Sequence, residues 1–379
     1  MKSKVIFFIF LFLSGSLFSQ TSAQAEAAAR EALLRLEAAL GGNISTSTGV
    51  NNITPPVQIA QGGVQPAWVN DPYTIYDRDI FFAVVGSAAD RNQAEAKALS
   101  ALTAIFGQLI QSDFTVVTMY TEAVERGVVR VSEDTNIRDT ITRAASIDNL
   151  IGAQIGYVWD SGRNVVFAVA YLDKKRTVSI YTDLVIINNS NISLLTNISN
   201  EEKNTFESIA RYRLASQIAE VNTNYLIIIS QAGGSTESIN QNSADFYKIE
   251  ADNIFRNITI SVVVDNDRAN RVQSAFARVL SSEGLRTRDN NPPYVLEVYI
   301  FSSEAFYPNS SYKWCSMEIC ANLIESSTGA SLIPFNFSLR EGHQTYANAE
   351  TTAYMMAERE IAERFPALLR EYLASVMPD

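Results

Sequence analysis

Residues of the kinds most often used in catalysis are few in this chain. The sequence has a single histidine, His343, and two cysteines, Cys315 and Cys320. A zinc site built from paired histidines or a Cys/His cluster needs more ligands than this, and a histidine-based triad would depend on His343 alone. His343 lies in the polar sequence 340–344, for which we predict an exposed loop before the last helix. We therefore predict no metal, no cofactor and no catalytic residue.

The two cysteines lie five positions apart. If residues 312–324 form one continuous strand, side chains at this spacing point to opposite faces and lie about 16 Å apart, too far for a disulfide. A tight turn at Ser316–Ile319 would instead place the thiols opposite each other. The sequence leaves both arrangements open.

Other short motifs fit structural roles better than chemical ones. Gly86–Asp90 joins a predicted strand to a predicted helix but lacks the lysine and second glycine of a phosphate-binding loop, so we interpret Asp90 as a helix cap. Asp267 fits the same role, because the sequence around it departs from a calcium loop after its third residue. The enzyme alternative is a carboxylate-based hydrolase using residues such as Glu341 or Asp160.

Aromatic residues crowd one stretch of the C-terminal half, and we expect most of them in the core of a β-meander. If they are exposed instead, they would form a patch that binds protein or glycan. The candidate partner-binding residues of this stretch are Tyr299, Phe306, Tyr307 and Trp314, and its other aromatic residues are Tyr294 and Tyr312.

The N-terminus has the order of features of a secretory signal peptide. Lys2 and Lys4 precede the apolar run Val5–Leu13, and small or polar residues follow. We predict a signal peptide over residues 1–23 and no transmembrane segment in the mature chain, because the run is too short to span a bilayer comfortably. No cysteine lies near the end of this leader, so no bacterial lipid anchor is predicted. The protein is expected in the periplasm, at the outer membrane or outside the cell.

Charge narrows the classes of partner. The formal net charge of −11 comes without basic clusters. Nucleic acid binding requires Lys and Arg gathered on one face, so we predict no nucleic acid partner. Docking on anionic lipid is disfavoured for the same reason.

An N-terminal arm precedes the folded part of the chain. Residues 24–41 have the spacing of a short amphipathic helix, and residues 42–65 are rich in Asn, Ser, Thr, Gly, Gln and Pro, which is typical of a flexible linker. The arm is either a docking element or a poorly ordered terminus. As a docking element it would use Leu33, Leu36 and Leu40.

The remaining chain is long enough for two domains, which we place at residues 66–222 and 223–379. In the first we predict a strand before Asp90, a hairpin across Ser161–Arg163, a helix after Asp173 that ends at Ile187, a polar break at 188–200 and a helix over 201–221. In the second we predict strands at 225–230 and 258–265, a helix over 268–283, a three-stranded meander over 294–339 and a last helix over 347–376. The predicted fold class is α+β, with antiparallel or mixed sheets packed by helices.

The stretch from Pro66 to about Val221 resembles the small α/β module of the LPP-type envelope lipoprotein family, which is shared with the N-terminal domain of the flagellar protein FlgT. The residues that carry the resemblance are Pro66–Val69, Phe82–Ala88, the Ala-rich helix over 92–108 and the strand Val166–Tyr171. The C-terminal half more weakly resembles modules of CsgG and TolB. These resemblances imply an assembly or scaffold role in the envelope, with no catalytic residues to carry over. Members of the lipoprotein family have an acylated cysteine, which this chain lacks.

Together these features predict a non-enzymatic exported protein of a bacterial envelope that binds other proteins. The alternatives are a peptidoglycan-binding module and the carboxylate-based hydrolase. The sequence does not identify the partner protein and leaves the oligomeric state open.

Overall fold

The structure is a computed structural model that describes residues 27–32, 34–35, 58–106, 150–200, 202–288, 292–308 and 310–376. Within these residues the chain forms two compact units. The first takes the described residues of 27–106, 150–197 and 214–246, and the second those of 198–213 and 247–376. Each unit has its own mixed sheet and its own helices. The predicted α+β class in two parts is therefore confirmed.

The first unit has a four-stranded sheet in the order β1-β3-β4-β2. Strand β4 pairs antiparallel with both β2 and β3, which confirms the predicted hairpin, and β1 pairs parallel with β3. β1 lies in the segment 42–65, for which the sequence predicts a linker, so the linker prediction is wrong there. The strands are β1 (Gln58–Gln61), β2 (Phe81–Ala88), β3 (Gln154–Asp160) and β4 (Val166–Asp173).

Helix α1 (Arg91–Ala104) packs closely on β2, and its N-terminus is capped as predicted by Asp90, which accepts a hydrogen bond from Gln93 N–H at 2.9 Å. The contact depends on Gly86, since a Cβ there would lie 2.7 Å from the carbonyl oxygen of Ala94 and 2.8 Å from Cα of Ala98. Small residues on both sides therefore set the distance between strand and helix.

Two longer helices complete the core of the first unit. Helix α2 (Lys174–Thr196) begins at Asp173, whose carboxylate accepts from Arg176 N–H, and helix α3 (Phe206–Gln231) follows it. Residues 206–213 of α3 count with the second unit and the rest with the first. The rings of Tyr181 and Tyr225, one on each helix, meet edge to face at 5.1 Å between centroids.

Two sequence predictions in this region are wrong. The predicted polar break at 188–200 is mostly helix, because α2 continues to Thr196 and buries Ile192 and Leu195. The predicted strand at 225–230 is also helix, because buried Tyr225, Ile228 and Ile229 recur at helical spacing. The predicted domain boundary at residue 222 consequently falls inside α3.

The second unit has a five-stranded sheet in the order β6-β5-β7-β8-β9. β5 pairs parallel with β6 and β7, and the other neighbours are antiparallel, which confirms the predicted meander. The strands are β5 (Thr259–Asp265), β6 (Arg286–Thr287), β7 (Tyr294–Ala305), β8 (Lys313–Glu325) and β9 (Ser331–His343). The helices are α4 (Ala244–Phe255), of which residues 247–255 count with this unit, α5 (Arg271–Ser282) and α6 (Tyr346–Val376).

Helices α5 and α6 cover one face of this sheet. Phe276 of α5, Phe365 of α6 and Phe335 of β9 form a buried cluster with ring centroids 5.0 to 6.0 Å apart. Helix α5 ends where predicted, with Gly284 at φ 85° as its C-terminal cap.

Strand β8 runs without a turn through both cysteines. Cys315 and Cys320 lie on opposite faces of it, and both are free thiols. The first of the two arrangements left open by the sequence is therefore confirmed.

Two predictions fall outside the described residues: the signal peptide and most of the linker. No helix among the described residues is long and apolar enough to cross a membrane.

Candidate functional site

One face of the second sheet leaves large apolar side chains in solvent. In β7, residues Leu296, Val298 and Ile300 point to the helices and are buried, and the residues between them point the other way. We call the side opposite α5 and α6 the open face. It exposes Val263 by 50%, Tyr299 by 45% and Phe301 by 57%. Aromatic and aliphatic groups clustered in this manner are typical of interaction surfaces.

Strand register places carboxylates directly among these apolar groups. Asp265 lies opposite Tyr299, Glu297 opposite Val263, and Glu318 opposite Phe301. Asp265 and Glu318 are exposed and Glu297 is half-buried. Within the described part of the chain, none of the three carboxylates makes an ion pair. Around Tyr299 and Phe301 the open face is therefore both apolar and negatively charged, while Arg340, opposite Ser316 near the far end of the strands, is an exposed cation on the same face.

A cleft of about 800 Å³ opens at one end of this face. The β5–α5 connection forms one wall with Asn266, Asp267 and Arg268, and β7 and β8 form the other with Phe301 and Glu318. The remaining lining residues are Val264, Ile300, Ser302, Ser303 and Ser316. The cleft combines an aromatic ring with hydroxyl, amide and charged groups.

The wall formed by the β5–α5 connection has an uncommon backbone. Asn266, Ala269 and Asn270 have φ values of 64°, 60° and 55°, a region that costs energy, particularly for alanine. Asp267 offsets the cost, because its carboxylate accepts hydrogen bonds from Arg271 N–H at 3.1 Å and Gln273 N–H at 2.9 Å. The Asp267 carboxylate thus binds amides of the first turn of α5, as predicted for a cap, although the N-cap position itself is occupied by Asn270.

Helix α6 fixes the same connection from the other side. The hydroxyl of Tyr354 donates to Asn266 O at 3.0 Å and accepts from Arg268 N–H at 3.2 Å. The guanidinium of Arg268 pairs with the buried carboxylate of Glu350. The cleft wall is therefore held in place by side chains behind it.

Aromatic residues also gather where β7 turns into β8. We call Phe306, Tyr307, Tyr312 and Trp314 the aromatic tip. Phe306 is 85% exposed and Tyr312 is 53% exposed. Trp314 is half-buried: its Nε1–H donates to Ser310 Oγ at 2.8 Å, and the Tyr307 ring meets it edge to face at 5.1 Å.

The expectation that the aromatic stretch forms meander core is wrong for most of its members. Tyr294 alone of the six is fully buried, and its hydroxyl accepts from Phe206 N–H at 2.8 Å. Tyr299 and Trp314 point to the open side because they lie at the outward positions of β7 and β8, about 20 Å apart along the strands.

Sequence reasoning missed five members of the open face. Val263, Phe301 and the carboxylates carried no motif. The two-residue alternation of β7 would have identified Phe301. Leu296, Val298 and Ile300 point to one side of the strand, and Tyr299 and Phe301 point to the other.

The N-terminal arm does not stand apart from the first unit. Ala32 is fully buried in that unit's core, and Arg35 pairs with the buried carboxylate of Asp183 on α2 at 2.8 Å. The expectation of a free arm is wrong at these residues. Leu33, Leu36 and Leu40 lie outside the described residues.

Cys315 and His343, the residues best suited to nucleophilic chemistry, both lie in strands of the second sheet. Cys315 is buried beside Tyr346, and burial raises the pKa of its thiol, which keeps it protonated. His343 is the last residue of β9 and half-buried, so the predicted exposed loop at 340–344 is wrong. The reason is that β9 pairs with β8 as far as Lys313 and His343.

The carboxylates named for a hydrolase lie in different units. Asp160 belongs to the first, where it accepts from Gly162 N–H at 2.9 Å and shapes a turn, and Glu341 belongs to the second. Among the described residues no group of three His, Cys, Asp or Glu side chains is placed to hold a metal ion.

Comparison with known proteins finds distant structural neighbours. No protein-family model matches the chain, and no curated protein matches it significantly. A secreted protein from Helicobacter pylori is 11% identical and covers 75% of this chain and 98% of its own, with a TM-score of 0.36. A minor lipoprotein from Acinetobacter baumannii is 13% identical and covers 32% and 94%, with a TM-score of 0.24. The rare lipoprotein B from Shewanella oneidensis is 12% identical and covers 31% and 95%, with a TM-score of 0.22.

These neighbours are bacterial lipoproteins and a secreted protein. At these identities and TM-scores they bear on neither the activity nor the partner of this chain. The resemblances to the LPP/FlgT module and to CsgG and TolB stay predictions from the sequence.

Proposed function

We propose that the chain is an exported, non-enzymatic protein of the bacterial envelope that binds another protein through its open face and aromatic tip. The observation that supports this most is the placement of Val263, Tyr299 and Phe301 in solvent beside three carboxylates that form no ion pair with the described residues. Export is supported by the signal-peptide pattern of residues 1–23. Rings and aliphatic groups supply binding energy once water is excluded from them.

Charge selects the kind of partner. Asp265, Glu297 and Glu318 surround Tyr299 and Phe301, so a segment with Lys or Arg would meet opposite charge and aromatic ring faces together. An acidic surface would be repelled there, including the same face of a second copy, which carries the same three carboxylates. The proposed partner therefore presents a basic, partly apolar surface.

The test is site-specific photo-cross-linking in the cells that make the protein. A photoreactive amino acid at Tyr299 or Phe301 should capture one and the same protein, whereas the reagent at Arg278, which is exposed on α5, should not. Capture to the same extent at Arg278, or no capture at all, would count against the proposal.

Direct binding should then follow with the purified captured protein. We expect Tyr299→Ala to weaken the affinity about 10-fold or more, and Glu297→Gln and Glu318→Gln to weaken it by smaller factors that shrink as salt is raised. Arg278→Gln serves as the matched control. An affinity that does not change in the Tyr299 and carboxylate variants would place the partner elsewhere on the molecule.

A second candidate function rests on the cleft. Its ring and polar groups, with Phe301 beside three serines and Asn266, are the kinds of group that hold sugars. Retention of the purified chain on peptidoglycan sacculi, lost in Phe301→Ala and kept in Tyr299→Phe, would favour this glycan-binding alternative over protein binding.

A further inference from the structure

Strand β9 ends the second sheet on one side and is long. It has 13 residues and pairs with β8 on one edge, and no described strand pairs with its other edge. At the opposite side of the same sheet, β6 has only two residues. A long unpaired edge offers a row of backbone groups to another strand.

The register shows which residues of β9 present backbone groups at that edge. Glu325 N–H donates across the turn to Ala330 O, so the odd-numbered residues of β8 face β9. Beyond the irregularity in register near Leu323 and Ile324, their partners in β9 are also odd-numbered, for example Ile319 with Phe337. The even-numbered residues of β9 therefore aim N–H and C=O outward. Pro334, which has no N–H, fits this assignment.

The usual protections of an edge are confined to one end of this strand. Pro334 and an irregularity in register near Leu323 and Ile324 lie at its start. From Phe335 to Leu339 the strand has neither proline, nor charge, nor bulge, and the side chains of Asn336, Ser338 and Arg340 are exposed. The middle of β9 is thus open to pairing.

We infer that a second copy of this chain pairs with β9 in antiparallel orientation, about a two-fold axis at Phe337. This register places Asn336 opposite Ser338 of the other copy, so that both exchange backbone hydrogen bonds. On the face covered by α5 and α6, the register places Phe335 opposite Leu339 of the other copy. It places Phe337 opposite Phe337 of the other copy. The two sheets join into one.

Charges along this edge do not oppose a second copy, in contrast to the carboxylates around Tyr299 on the open face. Arg340 comes opposite Pro334 and Glu341 opposite Ile333, so no like charges face each other. On α6, the guanidinium of Arg364 lies over the Phe335 and Phe337 rings, and Glu360 balances it at 3.2 Å. His343 lies at the far end of the strand, opposite Ser331.

The dimer has a consequence for binding. A two-fold axis between antiparallel strands stands normal to the sheet, so both open faces lie on the same side of it. Two binding surfaces side by side increase avidity for a partner with repeated sites. The dimer itself does not depend on the proposed function.

Sedimentation of the chain without its leader, over a range of concentrations, tests the inference. We expect a dimer with a concentration-dependent mass. Ser338→Pro should raise the dissociation constant about 10-fold or more, because it removes an outward N–H without touching the pairing to β8. Ser338→Ala keeps that N–H and should dimerise normally. A monomer at all concentrations, or a dimer that Ser338→Pro leaves intact, would overturn the inference.

A cysteine variant tests the register even if the proline variant folds poorly. In a Cys320→Ser background, Phe337→Cys should form an intermolecular disulfide under mild oxidation, since Cα atoms of such a non-hydrogen-bonded pair are about 4.5 Å apart. Ser331→Cys lies about 40 Å from its equivalent in this register and should stay reduced. Linkage at Ser331, or none at Phe337, would contradict the proposed axis.

Discussion

Gly342 lies against the indole of Trp314. A Cβ at Gly342 would be 3.0 Å from Cε2 and Cζ2 of the ring, on a strand pair that places the two residues directly opposite. Such a contact is tighter than ordinary packing, so only glycine lets the indole lie flat over β9. The position of the aromatic tip thus depends on a residue without a side chain.

We predict that Gly342→Ala displaces Trp314 and loosens the aromatic tip. The cost should be about 1–3 kcal/mol, as for other overpacked sites. Chemical denaturation would measure the cost, and a crystal structure would show the ring moved. Ser338→Ala on the same strand is the control and should be nearly neutral. Wild-type stability together with an unmoved ring in Gly342→Ala would contradict the prediction.

Gly86→Ala should be more damaging, because the added methyl meets backbone rather than a ring. It would press on the carbonyl oxygen of Ala94 and on Cα of Ala98, which cannot rotate away. We expect β2 and α1 to separate, with a loss of about 3 kcal/mol or more of unfolding free energy. Thermal unfolding followed by circular dichroism measures this. Ser87→Ala, at an exposed neighbouring position, should melt as the parent does.

A buried amide cluster joins α2 to α3. Asn222 is fully buried; its Oδ1 accepts from Asn188 at 2.8 Å and its Nδ2 donates to Asn189 at 2.9 Å. We predict that Asn222→Ala costs about 1–3 kcal/mol, since two amides lose their partner in a buried place. Urea denaturation provides the measurement. Glu220→Gln, exposed on the same helix, should change little, and equal effects of the two substitutions would refute the role of the cluster.

The same cluster explains why the division of the helices predicted from sequence is wrong. Asn188 and Asn189 look like a break because asparagine favours turns when it has no partner in a helix. Their partner, Asn222, lies 33 and 34 positions away, and no local pattern reveals it. Helix caps such as Asp90 and Asp173 were predictable because cap and helix are adjacent in sequence.

The candidate site was predictable in part for a similar reason. The alternation of apolar and polar side chains predicts the strands of the meander. It also predicts that one face of the sheet is exposed. Which side the helices cover depends on α5 and α6, and their contacts with Phe335 are long-range. The exposure of Tyr299 and of the carboxylates around it therefore depends on which face of the sheet these two helices cover.

The N-terminal arm should contribute to stability. Arg35 pairs with the buried carboxylate of Asp183, and Ala32 fills the core of the first unit. Arg35→Gln leaves a buried carboxylate without its cation, so we expect a lower melting temperature. Glu31→Gln removes only an exposed partner of Arg35 and should leave the melting temperature unchanged.

Deletion of residues 24–60 should lower the melting temperature further, because it also removes most of β1. If the deletion variant melts at the temperature of the parent, the arm and β1 contribute nothing to stability. If Arg35→Gln and Glu31→Gln melt at the same temperature, the ion pair between Arg35 and Asp183 contributes nothing to stability.

Alkaline pH should destabilise the second unit through Tyr372. Burial raises the pKa of Tyr372 to about 12, and its ring meets Phe206 edge to face at 5.5 Å. Burial also raises the pKa of Tyr294. In the unfolded chain these phenols lose their protons near pH 10. Stability is therefore complete below pH 10 and falls as the pH rises towards 12, since the unfolded state releases its protons first.

Tyr372→Phe isolates the contribution of one phenol, because it keeps the ring contact with Phe206. For Tyr372 the difference between pH 10 and pH 12 should be about 2–3 kcal/mol, from a pKa shift of about two units. Urea denaturation at a series of pH values gives the slope for parent and variant. We expect a shallower slope for Tyr372→Phe, with Tyr294 accounting for part of the remainder. Identical slopes for parent and variant would show that the Tyr372 phenol titrates as it does in the unfolded chain.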